Sequence, residues 1–213
     1  MWWTILCVAW ANPVDAWGPG IDAGVLGVNP NVNTSFEGAA EGQFIVGHGL
    51  GKGVDVNLAL AGEAPTLQPA AQELLARWFP TENIGMVAHL AYTPSEPGLA
   101  LGPELHTTWP IERAALYADV GWAPQLLSEG SSVGAGTVVA GGEVPLHRHL
   151  WLFLETNHRY EADGAVVLVT PGLYATLNEA GDSELCLGVR LPAAGGPEAG
   201  SVGLWFNRNV GLW

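Results

Sequence analysis

The sequence SFEGAAEGQFIVGHGLGKGVDVNLALA, residues 35–61, decides the fold because it alternates apolar and polar positions on both sides of a glycine-rich turn. From Ser35 to Val46 one side of the alternation is small or apolar, and the other side is mostly polar. The turn covers residues 48–53, and the alternation then resumes. A period of two residues on both sides of such a turn predicts a β-hairpin. Its second strand alternates Val54, Val56, Leu58 and Leu60 with Asp55, Asn57, Ala59 and Ala61.

The hairpin has one continuous apolar face and one face that carries carboxylates. A soluble sandwich or a lipocalin-like barrel buries its apolar face, whereas a membrane barrel turns that face outward to lipid. In the membrane arrangement the outward side chains would include Phe44, Val56, Leu58, Leu90 and Leu187.

Composition favours the membrane arrangement. Charged residues make up 13% of the 213 residues, about half the usual share, while 48% are hydrophobic. No apolar run is long enough for a transmembrane helix, so the hydrophobicity is spread over short alternating segments, as in membrane barrels. A formal net charge of −14 argues against nucleic acid and anionic headgroups as electrostatic partners.

The chain divides into three parts. Residues 1–11 are apolar and end in Ala9-Trp10-Ala11, which resembles a signal-peptide cleavage site although the basic start is missing. A buried N-terminal strand is the alternative. Residues 12–34 form a Gly-, Pro- and Asn-rich segment, whose residues 21–28 are either an extra strand or a linker, and residues 35–213 form the barrel domain. If Cys7 is removed with the signal, Cys186 has no disulfide partner.

Residues 69–79 interrupt the alternation. Leu74, Leu75, Trp78 and Phe79 have helical spacing, and prolines flank the segment at Pro69 and Pro80. This pattern predicts a short amphipathic helix on one rim.

Eight further segments are predicted strands, at residues 84–93, 99–108, 114–122, 132–143, 150–157, 165–176, 184–191 and 201–207. With the hairpin they make about ten strands, or up to twelve if the chain ends add their own, and short loops favour antiparallel pairing. Several tryptophans fall near segment ends, as in an interfacial girdle: Trp3, Trp17, Trp78, Trp109, Trp122, Trp151 and Trp213. The sequence therefore predicts an all-β, closed antiparallel transmembrane barrel with one short rim helix.

Two C-terminal segments, Thr170-Pro-Gly-Leu-Tyr174 and Leu185-Cys-Leu-Gly-Val-Arg-Leu-Pro192, resemble the closing strands of a bacterial outer-membrane barrel family. This family is named for the meta-pathway of phenol degradation. The resemblance covers the C-terminal quarter of the chain and implies an outer-membrane barrel that passes small, including aromatic, compounds. The chain departs from the family in being short. Its C-terminus also departs from the usual signal of such barrels, because Asn207 and Asn209 lie on the same side of the alternation as the terminal aromatic residue, Trp213.

The polar side of the alternation identifies the candidate site. In the membrane arrangement these side chains point inward and line the barrel lumen. Carboxylates outnumber guanidinium groups there, so the interior is predicted to be acidic. One interpretation is a hydrogen-bonded network that fills a small barrel, and the other is a cation-preferring pore or binding cavity. The predicted lumen-lining residues are Glu37, Glu41, Asp55, Asn57, His89, Glu104, His106, Asp119, Glu155, Arg159, Glu184 and Arg190.

Catalytic motifs are missing from the sequence. His89, Glu104, His106 and Asp119 come from consecutive strands, but neither G-x-S-x-G nor H-E-x-x-H occurs, so no catalytic residue, metal site or cofactor is predicted. The favoured function is a small outer-membrane channel or transport-associated barrel. An outer-membrane enzyme and a soluble binding barrel are the alternatives. The expected partners are outer-membrane lipid, a small-molecule solute and, during biogenesis, the barrel-assembly machinery.

Overall fold

The computed structural model describes residues 21–63, 68–81, 83–93, 96–127, 132–161, 164–179, 182–195 and 200–211. Within these residues the chain forms twelve strands that close into one barrel. In chain order they are β1 (Val25–Ser35), β2 (Ala40–Gly51), β3 (Val54–Glu63), β4 (Gln68–Thr81), β5 (Ile84–Thr93), β6 (Glu96–Ile111), β7 (Ala114–Leu127), β8 (Ser132–His147), β9 (Leu150–Glu161), β10 (Gly164–Thr176), β11 (Ser183–Ala194) and β12 (Ser201–Gly211).

Each strand pairs antiparallel with its neighbours in the sequence, and β1 pairs with β12 to close the cylinder. The closing register places Asn31 opposite Trp205 and Ser35 opposite Ser201. Closure leaves no strand edge with unpaired backbone groups, which a sheet surrounded by lipid requires. The predicted all-β, closed antiparallel barrel is confirmed, with the higher of the two strand numbers.

The predicted rim helix is wrong, because residues 69–79 belong to strand β4. Glu73, Leu75, Arg77 and Phe79 are buried, and the residues between them are exposed. Leu75 and Phe79 are four residues apart, so an inward apolar pair on a strand mimics a helical stripe. Pairing with β3 and β5 overrides that local pattern. The register shifts at both ends of β4, near Pro69 and Pro80, where proline lacks an N–H for the ladder.

Strand β1 lies within the segment that the sequence separates from the barrel domain. Its inward positions include one glycine and three asparagines, and its outward positions include Val28, Pro30 and Val32. The alternation is clear only from Val28 onward, because residues 21–27 carry apolar side chains on both faces. The predicted signal peptide, Cys7, Trp3, Trp17 and Trp213 lie outside the described residues.

The opening hairpin is formed by β2 and β3, and residues 52–53 connect them. Gly51, Lys52 and Gly53 all have positive φ angles, of 92°, 55° and 71°. Tight hairpin turns need such angles, and glycine adopts them without strain. The glycine-rich stretch thus specifies the hairpin, while residues 36–39 form the turn between β1 and β2.

The outer surface of the barrel is apolar. Phe44, Leu58, Leu90 and Leu187 point outward and are exposed, with Leu58 47% exposed, and Val56 shares their parity. Long alternating strands with the apolar face outside are the pattern of membrane barrels and not of soluble ones. Within the described residues, no helix is long and apolar enough to cross a membrane.

The tryptophans divide between the two faces. Trp78, Trp109 and Trp122 are exposed on the outer surface, as an interfacial girdle requires. Trp151 instead has the inward parity and stacks on Tyr174, and Trp205 is buried inside. Tryptophan position along a strand therefore does not by itself distinguish a girdle from the inner wall.

We call the end of the barrel where β1 begins and β12 ends the terminal rim. The connections after β2, β4, β6, β8 and β10 lie at the same end. The other end is the opposite rim.

Candidate functional site: the barrel interior

The inward-facing side chains are mostly buried and largely polar. Period-2 pleating sends alternate residues of every strand into the interior. The buried polar residues with this parity include Asn31, Asn33, Gln43, Asp55, Asn57, Glu73, Arg77, His106, Asp119, Thr137, Glu155, Asn157, Arg159 and Thr170.

Asp55 is the centre of a hydrogen-bonded cluster near the terminal rim, and it is fully buried. Arg77, opposite it on β4, donates from Nε to Oδ1 at 2.5 Å and from Nη2 to Oδ2 at 2.8 Å. Asn57 donates to Oδ1 at 2.6 Å, and the backbone N–H of Ile21 donates to Oδ2 at 2.9 Å. Two-pronged pairing with several donors offsets the cost of burying a carboxylate.

His106 is the centre of a second cluster, and its side chain is 1% exposed. Its Nδ1 lies 2.5 Å from Asp119 Oδ1, and its Nε2 lies 2.9 Å from Thr108 Oγ1. With the proton on Nδ1, the imidazole donates to the carboxylate and accepts from the hydroxyl. Phe79 packs edge-on against His106 at 6.3 Å between ring centroids and lies 5.6 Å from the Arg77 guanidinium carbon. Phe79 therefore connects the two clusters.

A third side-chain contact lies on the inner wall and joins β7 to β9, on either side of β8. The Tyr117 hydroxyl donates to Glu155 Oε2 at 3.2 Å, and both residues are buried. Asn157, two residues further along β9, has no protein hydrogen-bond partner for its amide among the described residues. Buried amides of this kind are ordinarily satisfied by water.

Two apolar patches complete the inner wall. One consists of Ala59, Leu75 and Val87, and the other of Phe153, Cys186 and Trp205. These side chains and the polar clusters are nearly inaccessible to solvent. The middle of the barrel is therefore narrow, as side chains fill much of a small barrel.

The interior is more accessible at one sector of the terminal rim. Glu143, Trp151, Tyr174, Glu184 and Asn207 are half-buried there and share the inward parity. The Trp151 and Tyr174 rings are parallel to within 2°, with centroids 4.9 Å apart. Glu184 lies directly opposite Asn207 in the register of β11 and β12, and Tyr174 lies opposite Trp151 in that of β10 and β9. We call this group the rim vestibule.

The structure distributes the predicted lumen residues as follows. Asp55, Asn57, His106, Asp119, Glu155 and Arg159 are buried on the inward parity, and Glu41, Glu104, Glu184 and Arg190 share that parity and are half-buried. Glu37 does not line the interior, because it lies exposed in the turn between β1 and β2. The side chain of His89 lies outside the described part of the structure.

Sequence reasoning missed several interior groups. Glu73 and Arg77 were hidden by the helical interpretation of residues 69–79, although their alternation with exposed Leu74 and Trp78 was available as a signal. Glu143 was hidden because the Gly- and Val-rich β8 shows little contrast between its faces. Among the described residues, no group of three or more His, Cys, Asp or Glu side chains is arranged to hold a metal ion.

Neither a family model nor a curated protein matches the sequence. The fold is similar to that of several solved structures. A KdgM porin matches with a TM-score of 0.62 at 6% identity, covering 85% of this chain and 98% of the porin. A NanC porin matches with a TM-score of 0.61 at 7% identity, covering 88% and 100%. The translocator domain of the autotransporter NalP from Neisseria meningitidis matches with a TM-score of 0.55 at 10% identity, covering 88% and 87%.

These similarities establish a shared fold. The chain has the closed-barrel architecture of bacterial outer-membrane proteins, and it spans nearly the full length of the two porins.

Proposed function

We propose that this chain is a small channel of the bacterial outer membrane that passes small solutes and prefers cations. The observation that carries the proposal is the closed twelve-stranded barrel with an apolar outer surface and a polar interior. This arrangement is the reverse of that in a soluble barrel, is stable in lipid and encloses a polar path. The porin fold of KdgM and NanC supports it.

Cation preference follows from the inward charges. The carboxylates with inward parity are Glu41, Asp55, Glu73, Glu104, Asp119, Glu143, Glu155 and Glu184, and the guanidinium groups are Arg77, Arg159 and Arg190. Asp55 and Arg77 neutralise each other. Acidic side chains remain in excess over basic ones, and low-dielectric walls focus the field of those that are ionised into the lumen.

The packed middle of the barrel limits the size of the solute. Buried side chains such as Leu75, Tyr117, Phe153 and Trp205 occupy the inner wall. We therefore expect a narrow path and a low conductance. The amide of Asn157, which has no hydrogen-bond partner within the described part of the chain, supports an interior that admits water.

Swelling of protein-loaded liposomes tests whether a path exists. In an isotonic solution of glycine, liposomes with the folded barrel should swell faster than liposomes with boiled protein, because glycine enters through the lumen. A trisaccharide should produce no such difference. Equal rates for folded and boiled protein in glycine would contradict the channel.

The resemblance to the phenol meta-pathway family remains a prediction about the solute. It would make a small aromatic compound a cargo, and the Trp151–Tyr174 stack in the rim vestibule is a surface on which an aromatic ring can pack. The predicted signal peptide and export also belong to this proposal.

The Thr108–His106–Asp119 geometry favours hydrolysis as a second candidate function. A hydroxyl, a histidine base and an orienting carboxylate within hydrogen-bond distance are the parts of an activated nucleophile. Thr108 is the half-buried member of the three and lies toward the terminal rim. In this scheme Thr108 Oγ1 attacks the carbonyl carbon of an ester while His106 takes the hydroxyl proton. His106 then returns that proton to the departing alcohol. Water finally hydrolyses the acyl-threonine.

A fluorophosphonate probe tests this second function. Thr108 would form an O–P bond as fluoride leaves, and the Thr108→Val variant would lose the label. Thr107 points outward on the same strand, so the Thr107→Val variant is the matched control and should label normally. The absence of labelling in the folded wild-type protein would rule out an activated threonine.

A further inference from the structure

The chain reaches β1 from inside the barrel. The N–H of Ile21 donates to Asp55 Oδ2 at 2.9 Å, and Asp55 is a fully buried interior residue. The segment Ile21–Gly24, which we call the latch, therefore starts within the lumen near the terminal rim.

The latch lies directly on the inner wall. A Cβ atom on Gly47 would approach Ile21 Cδ1 to 2.6 Å, and one on Gly27 would approach it to 2.9 Å. A Cβ atom on Gly49 would lie 2.0 Å from the backbone oxygen of Asp22. These glycines are adjacent on β1 and β2, since Gly27 pairs with Gly47. At Gly49 only a residue without a side chain allows the backbone of the latch to approach so closely, while Gly27 and Gly47 leave room for the Ile21 side chain.

Backbone hydrogen bonds fix the turn from the latch into β1. The N–H of Gly24 donates to the carbonyl of Gly49 at 3.1 Å, and that of Val25 donates to the carbonyl of Asp22 at 3.0 Å. Ala23 forms a parallel bridge with Gly49, and Gly24 has a φ angle of 76°. The reversal is thus built from a hydrogen-bonded turn and a glycine in the left-handed region.

We propose that the latch is an internal constriction, by which the segment that leads into β1 narrows the lumen at the terminal rim. The inner-wall groove formed by Gly27, Gly47, Gly49 and Asp55 is its binding surface. The latch occupies cross-section that a solute would otherwise use. The effect on transport rests on the proposed channel function, but the position of the latch does not.

Thiol labelling tests the position independently of transport. The Ile21→Cys and Asp22→Cys variants are compared in full-length protein that carries Cys186→Ala and Cys7→Ser, with a water-soluble maleimide. Asp22 is exposed, whereas Ile21 packs on the wall. The Ile21→Cys thiol should react at least about fivefold more slowly, since Ile21 is half-buried against the wall, which shields one side of it. Equal labelling rates for the two thiols would contradict the proposed position of the latch.

Conductance tests the constriction. In Ile21→Asp a carboxylate would replace the apolar side chain that packs on Gly27 and Gly47, in the neighbourhood of Asp55, and would release the latch. Single-channel conductance should then rise by at least about twofold. The Glu37→Gln variant is the control and should match the wild type, because Glu37 lies exposed in the β1–β2 turn outside the interior. A heat-shift gel confirms that each variant is folded. If Ile21→Asp conducts like the wild type, the constriction is wrong. If slow labelling is found but no variant conducts, the latch stands as a structural feature and the channel function fails.

Discussion

Arg77 on β4 binds both carboxylate oxygens of Asp55 on β3, across the inner wall of the barrel, at 2.5 and 2.8 Å. The pair is buried, and Asp55 also accepts from Asn57 and from the latch at Ile21. One carboxylate thus ties together β3, β4 and the amino-terminal end of the described chain.

Loss of the guanidinium should strongly destabilise the barrel. Arg77→Met leaves the Asp55 carboxylate buried without its charged partner, which costs about 3–5 kcal/mol. The exposed pair of Arg148 and Glu179 offers a matched control, because its Nη2–Oε1 contact of 3.2 Å lies in water. Arg148→Met should have little effect. Urea unfolding in lipid vesicles measures both variants, and similar losses would contradict the importance of the buried pair.

The outer surface should tolerate charge only near the rims. Leu58→Arg places a guanidinium on the lipid-facing wall of β3, at an expected cost of about 2–4 kcal/mol near the bilayer midplane. Leu50 is also exposed on the outer face, but it lies beside the β2–β3 turn. Leu50→Arg should cost about 0–1 kcal/mol. Equal effects in vesicle unfolding would mean that the apolar belt does not face lipid.

The mature chain should begin near Asn12, since the Ala9-Trp10-Ala11 pattern predicts cleavage there. The intact mass of protein isolated from an outer-membrane fraction measures this. A mass that includes Cys7 would show that the amino-terminal segment is retained.

The period of the sequence predicts the fold only where the two faces of a strand differ. Asp55 and Asn57 alternate with Leu58 and Leu60, so β3 is clear from the sequence. In β4, Leu75 faces an interior apolar patch while Leu74 faces outward, and the alternation of polar and apolar residues is interrupted there. Interior apolar patches are therefore the physical reason for the wrong helix.

The candidate site was only partly predictable for a related reason. The alternation along a strand identifies which side of the sheet a residue occupies. Which side chain it contacts depends on the register between neighbouring strands. His106 and Asp119 come from neighbouring predicted strands, and the structure pairs them directly. The contact of Ile21 with Asp55 joins residues that no local pattern connects, so it appears only once the barrel closes.

The central claim, an acidic water path through the barrel, is tested most directly by the reversal potential in a planar bilayer under a KCl gradient. We predict a preference for potassium that weakens at 1 M salt, where the screening length is about 3 Å. Replacing both vestibule carboxylates, in Glu143→Gln and Glu184→Gln together, should reduce the preference. Glu112→Gln, in the exposed β6–β7 turn, should leave it unchanged. A reversal potential of the opposite sign, showing chloride preference, would contradict the account.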